Sequence, residues 1–267
     1  MAGKVITVTS GKGGVGKTTF SANFSAALAK LGKKIIAVDA DVGQRNLDLI
    51  MGLENRIVFD LVDVVEGKCD LSKACIRDRR IPSLQLLPAA QTRDKSAVSP
   101  DAMRKVCDGL RPMCDFVIID CPAGIEGGFE TATAGADSLI VVVNPEVSSV
   151  RDSDRVIGLL EAREKYDLHL VINRLQPEKM RRGEMLGVDD IRDLLAIQLL
   201  GLVPEDDYIL VSTNRGELAA LKPEESPAGR EYHNIARRLL GEEVPFMDVN
   251  DTSGPIGRII SSLFGRR

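Results

Sequence analysis

The sequence predicts an α/β domain in which a mostly parallel central sheet carries helices on both faces, and three observations support that expectation. Short, nearly continuous runs of Val, Ile and Leu recur along the chain, as in strands buried on both faces. Segments with helical apolar spacing separate those runs, the alternation that builds parallel sheets. A glycine-rich stretch falls between the first run and the first helical segment, at the strand-to-helix turn where such folds gather ligands. The chain has 267 residues, 44% of them hydrophobic, enough for one large core, and a single domain is expected over residues 1 to 244.

The first run, Val5 to Val8, reads as the opening strand, and Thr18 to Leu31 as the first helix. Between them Gly11, Gly16, Lys17 and Thr18 satisfy G-x-x-x-x-G-K-[ST], the signature of a P-loop NTPase. Glycines let backbone N–H groups converge on phosphate oxygens, Lys17 neutralises charge, Thr18 ligates magnesium directly, and the helix N-terminus adds its positive dipole end. The candidate phosphate-binding residues are therefore Gly11, Lys12, Gly13, Gly14, Val15, Gly16, Lys17, Thr18 and Thr19. Lys12 is surplus to the ordinary pattern and needs its own explanation.

The second run, Ile35 to Val38, leads into Asp39-Ala40-Asp41, where alternation along an extended chain turns both carboxylates to one side. Asp39 is expected to hold a magnesium-bound water, and Asp41 to orient or deprotonate the attacking water as a catalytic residue beside Lys17. Leu84 to Leu87 is the next strand, and the remainder of Arg77 to Ser99 reads as surface loop. Phe116 to Ile119 ends in Asp120, a Walker B acid that reaches the magnesium shell through water. Gly124, three residues further on after Cys121-Pro122-Ala123, can bring a backbone N–H to the γ-phosphate and form a switch. The chain has 5 cysteines and no C-x-x-C pair, so neither a disulfide framework nor a zinc site is expected, and Cys121 reads as a buried thiol.

The last runs are Leu139 to Val143, Leu168 to Ile172 and Leu199 to Val203. The second of these strands ends in Asn173 and Arg174 and the third in Pro204, Glu205 and Asp206, so these residues are expected to border the base. The guanine-reading pattern Asn-Lys-x-Asp is absent at 173 to 176, where Asn-Arg-Leu-Gln stands, and ATP with Mg2+ is the expected ligand pair.

Residues 245 to 255, rich in Pro, Asp, Asn, Ser and Gly, read as a flexible linker. Beyond it Ile256, Ile259, Ile260, Leu263 and Phe264 follow the i, i+3, i+4, i+7, i+8 spacing of an amphipathic helix, with Arg258 on the other face and Arg266 and Arg267 at the end. An apolar stripe with basic residues suits the surface of an anionic phospholipid membrane. The net charge of -4 disfavours coating nucleic acid, and no sequence-specific nucleic-acid binding is expected. The start shows no apolar leader and no run is long enough to span a bilayer, so the expected location is cytoplasmic and peripheral on the cytoplasmic face of the inner membrane.

Lys-Gly-Gly-Val-Gly-Lys-Thr-Thr, Asp-Ala-Asp-Val-Gly-Gln-Arg-Asn-Leu-Asp, Asp-Cys-Pro-Ala-Gly-Ile-Glu, Asn-Pro-Glu-Val-Ser-Ser-Val-Arg-Asp-Ser-Asp-Arg and the basic amphipathic end together resemble the MinD family of deviant Walker A ATPases, essentially end to end. The resemblance implies a homodimer that forms on ATP, sits on the inner membrane, recruits the division inhibitor MinC and is released when MinE stimulates a slow basal hydrolysis. It also implies that Lys12 reaches the partner subunit's nucleotide, and that the surface around Arg151, Asp152 and Asp154 is where MinC and MinE compete. A flagellar-number regulator or a chromosome-partition ATPase would share the loop. The acidic composition disfavours the second, and the iron-sulfur members of the class would need a further cysteine ligand beside Cys121.

Overall fold

The computed structural model describes residues 2 to 125 and 127 to 249. In chain order the strands are β1 (Lys4–Thr9), β2 (Ile35–Asp39), β3 (Ile76–Arg77), β4 (Leu84–Leu87), β5 (Phe116–Asp120), β6 (Ser138–Val143), β7 (Leu168–Leu175) and β8 (Gln198–Pro204). The helices are α1 (Lys17–Lys30), α2 (Leu47–Met51), α3 (Leu61–Val65), α4 (Leu71–Ala74), α5 (Pro100–Leu110), α6 (Gly127–Thr133), α7 (Val147–Glu161), α8 (Pro177–Arg181), α9 (Val188–Leu195), α10 (Asp207–Asn214) and α11 (Pro227–Leu239). Local chemistry marks many of the helix starts: Asp60 caps α3 in a capping box, while Ser99 and Ser226 cap α5 and α11 just ahead of a proline.

The strands form one sheet in the order β3-β4-β2-β5-β1-β6-β7-β8, parallel throughout except for β3. Alternate residues of each strand face opposite layers. Val5, Val117, Leu139 and Val141 pack in one core with Val106 of α5, Phe129 of α6, Val156 of α7 and Ile191 of α9. Ile6, Val8, Ile118 and Ile140 pack in the other with Phe24 of α1 and Ile235 of α11. In that second layer the rings of Phe20 and Phe24 stack at 5.2 Å and Phe20 meets Tyr232 edge-on at 5.9 Å. Asp120 lies level with Val8 on one side and Asp39 on the other, so the loops after β1, β2 and β5 meet at one edge.

Three expectations need correction. β3 pairs antiparallel with β4 inside what reads as irregular chain, and at two residues it is too short to show a period. β7 runs on to Leu175, one residue past the Asn173-Arg174 pair in which the strand is expected to end; the register with β8 breaks there and Arg174 has a φ of 58°. The segment expected to open a flexible linker is docked as far as it is described. Met247 and Val249 pack against the core, and Arg238 donates to the carbonyls of Val244 (2.9 Å), Pro245 (2.6 Å) and Leu200 (3.2 Å) while lying 4.3 Å from the Phe246 ring centroid. Replacing Arg238 by Ala is expected to cost about 2 kcal/mol in urea unfolding, from charge-assisted hydrogen bonds and the ring contact, with ATPase activity unchanged. The expected membrane residues Ile256, Arg258, Ile259, Ile260, Leu263, Phe264, Arg266 and Arg267 lie outside the described residues.

Candidate nucleotide site

The loop between β1 and α1 takes its shape from glycines at left-handed φ, 79° at Gly14 and 96° at Gly16, which turn successive backbone N–H groups toward one concavity. α1 begins at Lys17 with no side-chain cap and no acidic residue in its first turn, so its terminal N–H groups are left for an anion. Lys17 is buried at 7% exposure and lies close enough to Asp120 to favour that carboxylate's charged form. Asn173 fastens the loop from β7, its amide donating to the Val15 carbonyl at 2.8 Å, and a Cβ on Gly16 would come within 2.5 Å of that amide nitrogen. At the other end of the loop Gly11 lies against the backbone of α7, where a Cβ would sit 2.2 Å from the carbonyl carbon of Asp152.

Asp120, fully buried at the end of β5, accepts from Ser21 Oγ at 2.8 Å and from the Thr18 hydroxyl. Burial pushes its pKa up to about 6 against the opposing pull of Thr18 and Lys17. Asp39 is pushed up to about 7, by burial first and by Asp120 second. Its oxygens accept from the backbone N–H groups of Asp41 (3.0 Å), Asn46 (3.1 Å) and Leu47 (3.1 Å), so Asp39 also folds the loop that follows β2, a role its place in the sequence does not reveal. Asp41 is half-buried, and its charge reaches both other acids.

Two buried carboxylates held against their charged form, beside a Thr hydroxyl and a lysine, make a pocket short of positive charge. Among the described residues no cluster of His, Cys, Asp and Glu could cage a metal alone. The arrangement therefore suits an octahedral cation that keeps phosphate oxygens and waters, and magnesium fits it. The sign of the pH effect follows. Both acids hold protons more tightly folded than unfolded, so the unliganded protein should lose stability as pH rises from about 4 to about 7. In urea melts at pH 5 and pH 7.5, Asp120→Asn should show a shallower decline than the natural chain, and equal slopes would contradict the burial argument.

Beside α1 a cavity of about 360 Å³ is lined by Gly16, Thr19, Arg174, Pro204, Glu205 and Tyr232 among others. The expected base residues do converge there, but their side chains are partly committed. Asp206 uses one oxygen to cap α10 at Tyr208 (2.9 Å) and the other for Ser226 Oγ (2.6 Å) and the Ala228 N–H (3.1 Å), so most of its accepting capacity is spent on helix starts. Arg174 lies loosely 3.9 Å from Glu205. Tyr232, from α11, is a wall residue whose helical position gives no sign of a ligand.

Lys12 turns to the rim of the site, where its ammonium meets Glu146 at 3.3 Å and Ser148 Oγ at 3.1 Å. Both partners fall in the Asn-Pro-Glu-Val-Ser-Ser stretch, but with 134 residues between Glu146 and Lys12 nothing in the sequence pairs them. A second cavity, of about 410 Å³, opens there between Gly11, Gly13, Gly124, Ile125, Asp152 and Arg155. Gly124 has a φ of 83°, which a side chain would strain. Arg151 and Asp154 are exposed on the first turns of α7, and Asp152 is half-buried against the loop. Cys121 is buried at 1% exposure with its thiol pushed up to about 12, so it stays protonated and unreactive.

Comparison with known proteins agrees with this geometry. A family model described as "AAA domain" matches residues 3–169. The septum site-determining protein MinD of Bacillus subtilis is 50% identical over 99% of each chain. Among solved structures, the MinC:MinD cell division protein complex of Aquifex aeolicus has a chain 46% identical with a TM-score of 0.86, covering 92% of this chain and 99% of that one. MinD of Pyrococcus horikoshii complexed with Mg-ADP is 30% identical with a TM-score of 0.80, covering 88% and 95%.

Proposed function

The chain belongs to the MinD family of P-loop ATPases, and on that premise we propose that it converts its nucleotide state into self-association and so into residence on a membrane. It is a septum site-determining ATPase that works with ATP and Mg2+. In the proposed cycle two ATP-bound copies meet across their nucleotides, each Lys12 completes the other copy's site, and the paired C-terminal segments hold the dimer on the cytoplasmic face of the inner membrane. Two weak anchors on one particle bind about 10² to 10⁴ times more tightly than one. There the dimer recruits a MinC-like inhibitor through Arg151, Asp152 and Asp154. A MinE-like activator accelerates an otherwise slow hydrolysis and releases it.

In the chemical step a water oxygen bonds to the γ-phosphorus as the bond to the bridging oxygen breaks, giving ADP and phosphate. Asp41 orients that water and takes its proton, while the glycine N–H groups, Lys17 and Lys12 of the second copy face the charge that builds on the phosphoryl oxygens. Magnesium, when bound, screens the β- and γ-phosphate oxygens; Thr18 would hold it directly and Asp39 and Asp120 through water.

The observation that carries this reading is the position of Lys12. It lies out on the rim, its side chain 44% exposed and its ammonium on Glu146 and Ser148, and so faces whatever docks on the site. Light scattering should give a one-chain mass with ADP and a two-chain mass with ATP and Mg2+, and Lys12→Ala should remain at one chain in both. A Lys12→Ala dimer of normal strength would overturn the role across the interface.

A further inference from the structure

The stretch Asp-Ala-Asp-Val-Gly-Gln-Arg-Asn-Leu-Asp contains two charged residues that the chemical step above does not use, Arg45 and Asp48. They pair with each other: Arg45 Nε lies 2.9 Å from Asp48 Oδ2, the Asp48 side chain is fully buried and that of Arg45 is 19% exposed. Asp48 stands on a fixed element. Leu47 and Met51 of α2 are buried in the layer that holds Phe20 and Phe24 of α1. Gly52 closes the helix at a φ of 63° beside Gly216, whose carbonyl oxygen a Cβ there would meet at 2.5 Å, and Arg80 donates to the Met51 carbonyl. Burial pushes the Asp48 pKa up, and the charge of Arg45 opposes that.

Arg45 belongs to the turn that carries Asp41. The N–H groups of Gln44 (3.0 Å) and Arg45 (3.2 Å) both donate to the Asp41 carbonyl, and the Gly43 N–H donates to the Ala90 carbonyl at 2.9 Å. Gly43 has a φ of 93°, which suits glycine, but Arg45 has a φ of 29°, a conformation that most side chains resist. Such strain persists only where the surroundings over-determine it. Here the ion pair to Asp48 does so on one side, and on the other Asp39, whose carboxylate takes the N–H groups of Asn46 and Leu47. A buried ion pair adds little net stability over apolar packing of the same volume, so a fixed geometry is what this one contributes.

We infer that Arg45 is a positioning residue for hydrolysis: braced on Asp48, it locks the turn after β2 and so aims the Asp41 carboxylate at the attacking water. The inference rests on the role of Asp41 proposed above. Arg45 acts through the turn, and the glycine loop that binds the phosphates lies on a different strand end, so rate and nucleotide affinity separate. A displacement of about 1 Å in a reacting group costs on the order of 10²-fold in rate.

The test measures single-turnover ATP hydrolysis and ADP affinity, both with Mg2+, on the full chain. Arg45→Asn tolerates the left-handed backbone and is too short to replace the guanidinium, so it should hydrolyse about 10- to 100-fold more slowly with ADP affinity within about twofold. Arg45→Lys still offers Asp48 a cation, and because the contact is single and not a bidentate fork, its rate should stay within about threefold of the natural one. In an Asp41→Ala chain, adding Arg45→Asn should slow hydrolysis by no more than about twofold, since both changes act at one carboxylate. A natural rate in Arg45→Asn, or a further loss of about 10-fold or more on top of Asp41→Ala, overturns the inference and leaves the role of Asp41 standing. A matching loss of ADP affinity, or Arg45→Lys as slow as Arg45→Asn, overturns it too. If Asp41→Ala alone hydrolyses at the natural rate, the reading of Asp41 fails and the inference falls with it.

Discussion

Asp41→Ala is expected to keep ATP bound while lowering its hydrolysis about 10²- to 10⁴-fold, the range carried by a positioned general base. The carboxylate sits just past the end of β2, half-buried, with its charge felt by Asp39, Asp120 and Cys121. Asp39 has its oxygens committed to three backbone N–H groups and Asp120 to Ser21 and Thr18. Asp41, whose charge both of these acids feel, is the acid the proposed cycle assigns to the attacking water. Removing it also removes a negative charge that now raises both neighbours, so ATP affinity should hold or rise in the variant. A fluorescent ATP analogue measures the binding and phosphate release the turnover. Hydrolysis at the natural rate would take Asp41 out of this role.

Gly11→Ala should weaken nucleotide binding by about 10- to 100-fold, because the added methyl meets backbone on the α7 side and cannot be relieved by a rotamer change. A Cβ there would lie 2.2 Å from the Asp152 carbonyl carbon and 2.4 Å from both its oxygen and the Ser153 nitrogen. The loop or the first turns of α7 must move, and the same strain reaches the surface at Arg151, Asp152 and Asp154. Gly158→Ala is the control on the same helix. Nothing lies within 4 Å of a Cβ there, so it should stabilise the fold by about 0.5 to 1 kcal/mol and leave nucleotide affinity alone. Isothermal titration with ADP and Mg2+ separates the two variants, and equal affinities would remove the loop-to-α7 contact from the account.

What the sequence made legible was what depends on neighbours along the chain. β1, β2 and β5 are contiguous apolar runs, Gly14 and Gly16 stand where the loop needs left-handed φ, and Asp120 closes its strand. What stayed hidden depends on partners that only the strand order brings together. Because β7 lies two strands from β1, Asn173 can hold Val15 across 158 residues of chain, and no local period signals it. Asp206 looks like a strand-end acid facing a ligand, yet the chain returns α11 to it and its oxygens go to helix caps. Pro245 and Asp248 read as linker, while the arginine that straps this segment down lies on the preceding helix, where a basic last turn looks like ordinary helix chemistry.

The central claim is that nucleotide state governs membrane residence. Sedimentation with anionic vesicles, run with ATP and Mg2+ and with ADP and Mg2+ on the Asp41→Ala chain so that hydrolysis does not blur the two states, tests it most directly. The account predicts that most of the protein pellets with ATP and little with ADP, and that adding Lys12→Ala lowers the ATP value to the ADP one. Equal sedimentation with both nucleotides would contradict it and leave a static anchor in place of a nucleotide-gated one.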